Sequence, residues 1–276
     1  MEEQLSMYCD LLKHEEKCDN TIKKYRRDIL KYLNYLSEHG LELTKESVIA
    51  FKKNLLTKYE VSSCNSILVA VNSFLKFLKK DEYCVKVYKL QRKVFTEEKR
   101  SMEMKDYIKI TKNTQGLKDK RINQIIHTFA ETGIRVSELR YITVQALEKG
   151  QAVINNKGKI RVIILTQNLV ARLKQYCQEN RIVTGSIFIT RSGKSLDRFY
   201  IWRMMKRIAI KADVLRSKVF PHNFRHLFAK TFYEKQKDIV RLADFLGHSN
   251  IETTRIYVAT SNLNECRVQL EHLFRN

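Results

Sequence analysis

Residues 246–257 read Leu-Gly-His-Ser-Asn-Ile-Glu-Thr-Thr-Arg-Ile-Tyr, and their reading organises the second half of the chain. Gly247 stops a helix over 238–246, because glycine accepts the left-handed conformation that ends helices. Ser249-Asn250-Ile251-Glu252 has the S-x-x-E form of a capping box, so a new helix starts there. Tyr257 falls on that helix or just after it. Upstream, residues 221–226 read Pro-His-Asn-Phe-Arg-His. Pro221, the only proline, suits the first turn of a helix. That helix, over 222–235, puts His222 and Arg225 on one face. Further upstream, residues 132–139 read Thr-Gly-Ile-Arg-Val-Ser-Glu-Leu. They follow a segment in which Ile122, Ile125, Ile126 and Phe129 recur at helical spacing, and Gly133 ends it. Glu138 lies one turn beyond Arg135 and can orient its guanidinium.

Working outward, QAVIN (151–155) and IRVIIL (160–165) are β-branched runs joined by Asn156-Lys157-Gly158-Lys159, the pattern of a β-hairpin. SIFIT (186–190) reads as a further short strand. Another helix is expected at 196–211, with Trp202 in the core. The end of the chain carries Leu263, Cys266, Leu270, Leu273 and Phe274 on one stripe, a helix at about 262–275.

The first eighty residues read as helices only. Ile22, Tyr25, Ile29, Leu33 and Leu36 share a face, and Gly40 ends that helix. Thr44 caps a second helix with Val48, Phe51 and Leu55 inward. Ser62 or Ser63 caps a third, with Ile67, Val71, Phe74, Leu75 and Leu78 inward. Residues 3–17 supply a further helix, making a bundle of about four. Periodicity fades from 84 and the chain turns basic. The expected organisation is a helical domain over 1–88, a linker over 89–101 and a second domain over 102–276. The fold class is mainly α with a small antiparallel β-sheet.

The chain has 276 residues, with 52 Lys+Arg against 30 Asp+Glu, a formal net charge of +22. Residues 101–276 hold 32 of the basic residues and 15 of the acidic ones, so the excess sits in the second part. It is dense over 191–218, where nine basic residues face two acidic ones. Such a surface attracts a polyanion, nucleic acid first of all. A hydrophobic content of 43% excludes wholesale disorder. No apolar run approaches the ~18 residues of a membrane span, and the charged N-terminal stretch lacks a signal-peptide pattern. The expected compartment is the cytoplasm. The six cysteines are scattered without C-x-x-C spacing and read as reduced thiols. No cluster of carboxylates or histidines points to a metal, and no cofactor is expected.

In order and spacing the three motifs resemble the tyrosine recombinase family, also called phage integrases, in a two-domain, Xer-like form. That signature is an Arg in T-G-x-R-x-S-E-L, a Lys on a hairpin, H-x-x-R, L-G-H, and a Tyr nine residues beyond that His. The match covers roughly residues 120–260. The resemblance implies a SAM-like core-binding bundle followed by the catalytic domain, the two clamping duplex DNA. It implies strand cleavage by Tyr257 with a 3′-phosphotyrosine intermediate, needing neither ATP nor metal. Arg135 and Arg225 would clamp the phosphate oxygens, where a forked guanidinium serves better than a point charge. His222 would exchange a proton with the nucleophile or bond the phosphate, and His248 would donate to another phosphate oxygen. The family's general acid is a hairpin lysine. The family often reads G-K-G-x-K-x-R, but Asn155-Asn156-Lys157-Gly158-Lys159-Ile160-Arg161 is one residue short. Alignment on K-G selects Lys157, and alignment back from Arg161 favours Lys159. Glu138 is a supporting residue, and His226 is read as packing. The resemblance further implies a homotetramer exchanging strands at specific sites through a Holliday junction, an accessory DNA-bending or excision factor, and no membrane partner. The outcomes it covers are integration, transposition, inversion and dimer resolution. Two rival readings are a catalytically silent DNA-binding protein of the same fold and a type IB-like relaxing enzyme.

Overall fold

The computed structural model describes residues 1–89, 101–115, 120–156, 159–190, 192–248 and 250–258. It divides into two compact units, Met1–Arg92 and Lys93–Asn276.

The first unit is a bundle of α1 (Glu2–His14), α2 (Asp19–Glu38), α3 (Lys45–Lys58) and α4 (Val61–Phe77). The stripe on α2 is inward at Ile22, Ile29 and Leu36, and it also takes in the fully buried Tyr32. Tyr32 OH pairs with Ser47 Oγ of α3 at 3.0 Å, so the burial of its polar end costs little. Thr44 caps α3 by accepting from Ser47 N at 3.2 Å. α4 begins earlier than its serines suggested. Its first residue is Val61, after Glu60, and no side chain caps it. Its inward face holds Ile67, Val71, Phe74 and Leu75 as expected.

Residues 84–88 are not free linker. Asn72 of α4 donates to Val85 O at 2.7 Å and accepts from Val85 N at 3.0 Å. Asn65, two turns earlier, does the same for Tyr88, with both bonds at 2.8 Å. Two side-chain amides thus replace a neighbouring strand for an extended segment whose backbone would otherwise be unpaired. The rest of the expected linker, 90–100, lies outside the described residues.

The second unit comprises α5 (Met104–Gln115), α6 (Arg121–Thr132), α7 (Val144–Lys149), β1 (Gln151–Asn156), β2 (Lys159–Ile164), α8 (Gln167–Glu179), α9 (Arg198–Lys211), α10 (Pro221–Gln236), α11 (Ile239–Leu246) and α12 (Ile251–Val258). β1 and β2 pair antiparallel, with Val153 opposite Val162 and Ile154 opposite Arg161. SIFIT does not form a strand. It makes only the isolated bridges Thr143–Ser186 and Ile189–Ser195. α5 and α8 fall where the sequence reading placed no element. The core gathers Ile126 and Phe129 of α6, Ile154 and Ile163 of the hairpin, and Phe224 and Leu227 of α10. Each such side chain contributes about 1.5–3 kcal/mol on burial. Trp202 is not core. It is 47% exposed, with Lys206 Nζ 5.3 Å from its ring centre. The inward row of α9 is Ile201, Met205, Ile208 and Ala209. Pro221 begins α10. Ser249 lies outside the described residues, and α12 opens with Asn250 Oδ1 accepting from Glu252 N at 2.8 Å. The expected C-terminal helix at 262–275 also lies outside them.

Asn72→Ala in the full chain removes both bonds that hold Val85. It is expected to lower stability by about 1–3 kcal/mol, read as a shift of the urea midpoint. An unchanged midpoint would mean the amide ladder is incidental.

Candidate active site

Two helix ends and one buried cation build the site. Gly133 ends α6 at φ +62° and Gly247 ends α11 at φ +64°, a left-handed conformation that side-chain-bearing residues rarely adopt. A Cβ on Gly133 would lie 2.6 Å from Phe228 of α10. Glycine therefore lets the end of α6 come close to α10. Arg225, 1% exposed, fills the space between the two ends. Its Nη1 donates to Gly133 O at 2.6 Å and its Nη2 to Leu246 O at 2.6 Å. Those carbonyls belong to the carbonyl-rich ends of helices, where a cation is favoured.

Arg225 Nη2 also reaches His248 Nε2 at 2.9 Å. A guanidinium can only donate, so Nε2 accepts. Nδ1 then carries the proton and donates to Thr254 Oγ1 at 2.9 Å. His248 is thus neutral, with both ring nitrogens engaged. Burial, then the charges of Arg225, Arg135 and Arg161, push its pKa down to about 4. Thr254, fully buried on α12, ties that helix to His248. The sequence reading missed it, and its signal was a hydroxyl three residues before Tyr257.

Arg135 stands just beyond the end of α6. Its backbone N–H donates to Glu138 Oε2 at 2.7 Å and its Nη1 to Glu138 Oε1 at 3.0 Å. The Arg135 side chain remains 41% exposed, while that of Glu138 is 2% exposed. Glu138 is shared. Arg161 Nη2 of β2 donates to its Oε2 at 2.5 Å, and Arg161 Nη1 donates to Phe245 O of α11 at 2.7 Å. Sequence reading used Arg161 only as an alignment marker.

His222 is exposed near the start of α10. Desolvation first, then the charges of Arg225 and Arg135, lower its pKa. His226 meets it edge to face, with ring centres 4.8 Å apart. Burial, then His222 and Arg225, hold His226 at about 4. Arg135, Arg161, Arg225, His222 and His248 thus share one electrostatic neighbourhood. Three guanidiniums face one carboxylate there, which is a field for an anion with several oxygens. Lys157 lies outside the described residues. Lys159 opens β2. Tyr257 lies on α12, which packs against α10 and α11. Among the described residues no group of three or more His, Cys, Asp or Glu could hold a metal ion, and no helix is long and apolar enough to cross a membrane.

Comparison with known proteins places the chain in a family. Residues 98–263 match the phage integrase family, and residues 5–82 match the phage integrase N-terminal SAM-like domain. The chain is 30% identical to tyrosine recombinase XerD of Staphylococcus saprophyticus, covering 88% of each protein. It is 29% identical to tyrosine recombinase XerA of Pyrococcus furiosus, covering 99% of this chain and 96% of the relative. Among solved structures, XerH recombinase bound to a palindromic difH substrate superposes with a TM-score of 0.76 at 21% identity, over 99% of this chain and 84% of that one. The Tn1549 transposon integrase bound to transposon right-end DNA gives 0.73 at 16% identity, over 99% of each. The chain belongs to the phage integrase family. It is a tyrosine-type site-specific recombinase, the class of enzyme that breaks and rejoins DNA strands.

The depressed histidines fix the sign of a pH effect. His226 and His248 bind protons near pH 4 when folded and near 6.5 when unfolded. Between those values the unfolded chain holds more protons, so their contribution is full above about pH 6.5 and is lost as pH falls toward 4. Thermal melts from pH 7 to 4 are expected to fall less steeply for His226→Asn than for the parent. Parallel curves would contradict the assignment for His226.

Proposed function

We propose that the chain cuts one strand of a specific duplex site with Tyr257 and holds the 3′-phosphate as a phosphotyrosine until a partner strand displaces it. The observation that carries this reading is Arg225, a buried guanidinium bonded to His248 in one electrostatic neighbourhood with Arg135 and His222, on the unit whose α12 bears Tyr257.

The chemistry follows from charge. The phenol oxygen forms a bond to phosphorus, the bond to the DNA 5′-oxygen breaks, and that oxygen takes up a proton. The phosphoryl bond energy is kept, so rejoining needs no ATP. Negative charge grows on the non-bridging oxygens, and Arg135 and Arg225 are the donors aimed at it. Arg135 is the exposed one and reaches the phosphate first. Arg225 is the fixed one, and its bond to His248 Nε2 is the bond a phosphate oxygen exchanges with. Release of Nε2 from Arg225 lets His248 take a proton and become a donor. His222, whose pKa is lowered, accepts the Tyr257 proton. The hairpin lysine, Lys157 or Lys159, supplies the proton to the 5′-oxygen. Arginine and lysine do this work without a metal.

The neighbours bound to DNA support duplex DNA as the partner, and the matches to both units support a two-part grip on it, by domains at 1–88 and 102–276. Recombination joins two sites, and each site presents two strands. We infer four protomers exchanging strands through a Holliday junction, assisted by a DNA-bending or excision factor. The transposon integrase among the structural neighbours supports a mobile genetic element as the setting, with the cytoplasm as the compartment.

The test uses a nicked substrate that traps covalent complexes. Tyr257→Phe is expected to bind the site within ~2-fold of the parent and to form no adduct. An adduct that persists would overturn the nucleophile. Adduct formation is also expected to survive excess EDTA, and strict dependence on magnesium would argue for metal-assisted cleavage.

A further inference from the structure

Arg161 stands at a place where a strand of a hairpin does not ordinarily carry a charge. β2 alternates, with Ile160 and Val162 outward and Ile163 inward. Arg161 shares the inward side, and its side chain is 12% exposed. Burial pushes its pKa down, and Glu138 opposes that. A buried cation is kept at a cost of several kcal/mol unless its partners are well placed. Among the described residues its side-chain bonds go to two partners. One is Glu138 Oε2, and the other is Phe245 O near the end of α11. Gly247 makes the second contact possible, because a Cβ there would lie 2.4 Å from Arg161 Cδ. The glycine of the L-G-H segment thus serves a chain turn and the seat of Arg161 together.

Glu138 is the only acidic side chain bonded to Arg135 among the described residues. A carboxylate with both oxygens free pairs with a guanidinium through two parallel bonds. Such a pair would neutralise Arg135 and turn its fork away from solvent. Oε2 already accepts from the Arg135 backbone N–H, and Arg161 Nη2 takes up its remaining capacity, which leaves the Arg135 guanidinium one bond to Glu138, Nη1 to Oε1 at 3.0 Å. We propose that Arg161 is a positioning residue for Arg135. Together with the Arg135 backbone N–H it takes up Oε2 of Glu138 and balances that carboxylate's charge, so that Arg135 keeps its remaining N–H groups for the scissile phosphate. Through Phe245 O it ties the same balance to the helix end that presents His248.

This rests on Arg135 acting as a phosphate clamp, and the experiment separates the two ideas. A methylphosphonate at the scissile position replaces one charged oxygen by a methyl group, so the need for guanidinium charge disappears while nucleophile and leaving group stay the same. Cleavage of phosphodiester and methylphosphonate sites would be compared for the parent, Arg135→Ala and Arg161→Gln. Both variants are expected to lose ~10²–10³-fold on the phosphodiester and to come within ~10-fold of the parent on the methylphosphonate. Rescue of Arg135→Ala alone would overturn the role of Arg161. Rescue of neither would overturn the clamp itself. Near-parental cleavage of the phosphodiester by Arg161→Gln would also overturn the proposal. Should Arg161→Gln fail to melt cooperatively, Arg161→Lys takes its place. Lysine keeps the charge but not the two-way fork, so the expected loss is ~10-fold and is again absent on the methylphosphonate.

Discussion

Arg225 is the constraint on which the catalytic unit is arranged. A guanidinium that is 1% exposed has lost its water and must find every bond inside the protein. It finds Gly133 O past the end of α6, Leu246 O at the end of α11, and His248 Nε2. One side chain therefore sets the spacing of two helix ends and the tautomer of a histidine. Both helix ends offer partial negative charge, which offsets part of the desolvation cost. What remains is a buried cation, which the proposed function assigns to the scissile phosphate.

The two glycines follow from this. At Gly133 the helix must turn against α10, and at Gly247 it must turn against Arg161. Each takes a positive φ at a contact that excludes a methyl group. Around them the charges are uneven, with three guanidiniums, one carboxylate, and imidazoles whose pKa values are pushed down by desolvation and by nearby positive charge. Neutral imidazoles can accept protons and add no charge, so the field there is set by the guanidiniums and the Glu138 carboxylate.

Much of this was legible in the sequence, for reasons that can be named. Gly133, Pro221 and Gly247 mark helix ends because few residues accept those conformations, and the motif residues sit beside those marks. The α2 and α6 stripes and the hairpin were visible as periodicity. Other features were hidden because periodicity does not see them. The Asn65 and Asn72 ladder is a side-chain-to-backbone pairing, and it holds a stretch where helical periodicity fades. Trp202 is expected in the core, but it stands one residue from Ile201 and so about 100° around the helix from the buried row. SIFIT has strand composition without a neighbour to pair with beyond single bridges. Arg161 was the most informative miss. An inward charge in an alternating strand is itself a sign of a partner, and here the partner is Glu138. The engagement of both His248 nitrogens could not be read from spacing, since it depends on the convergence of Arg225 and Thr254 from different helices.

The account's central claim is that Tyr257 becomes linked to DNA within this arginine-built site. The direct measurement is peptide mapping of the covalent complex by mass spectrometry, after incubation with fragmented DNA from the protein's own genomic neighbourhood in the presence of a chelator. The account predicts a nucleotide attached through its 3′-phosphate to Tyr257 and to no other residue. Attachment to another of the 13 tyrosines, or a 5′-linkage, would contradict it.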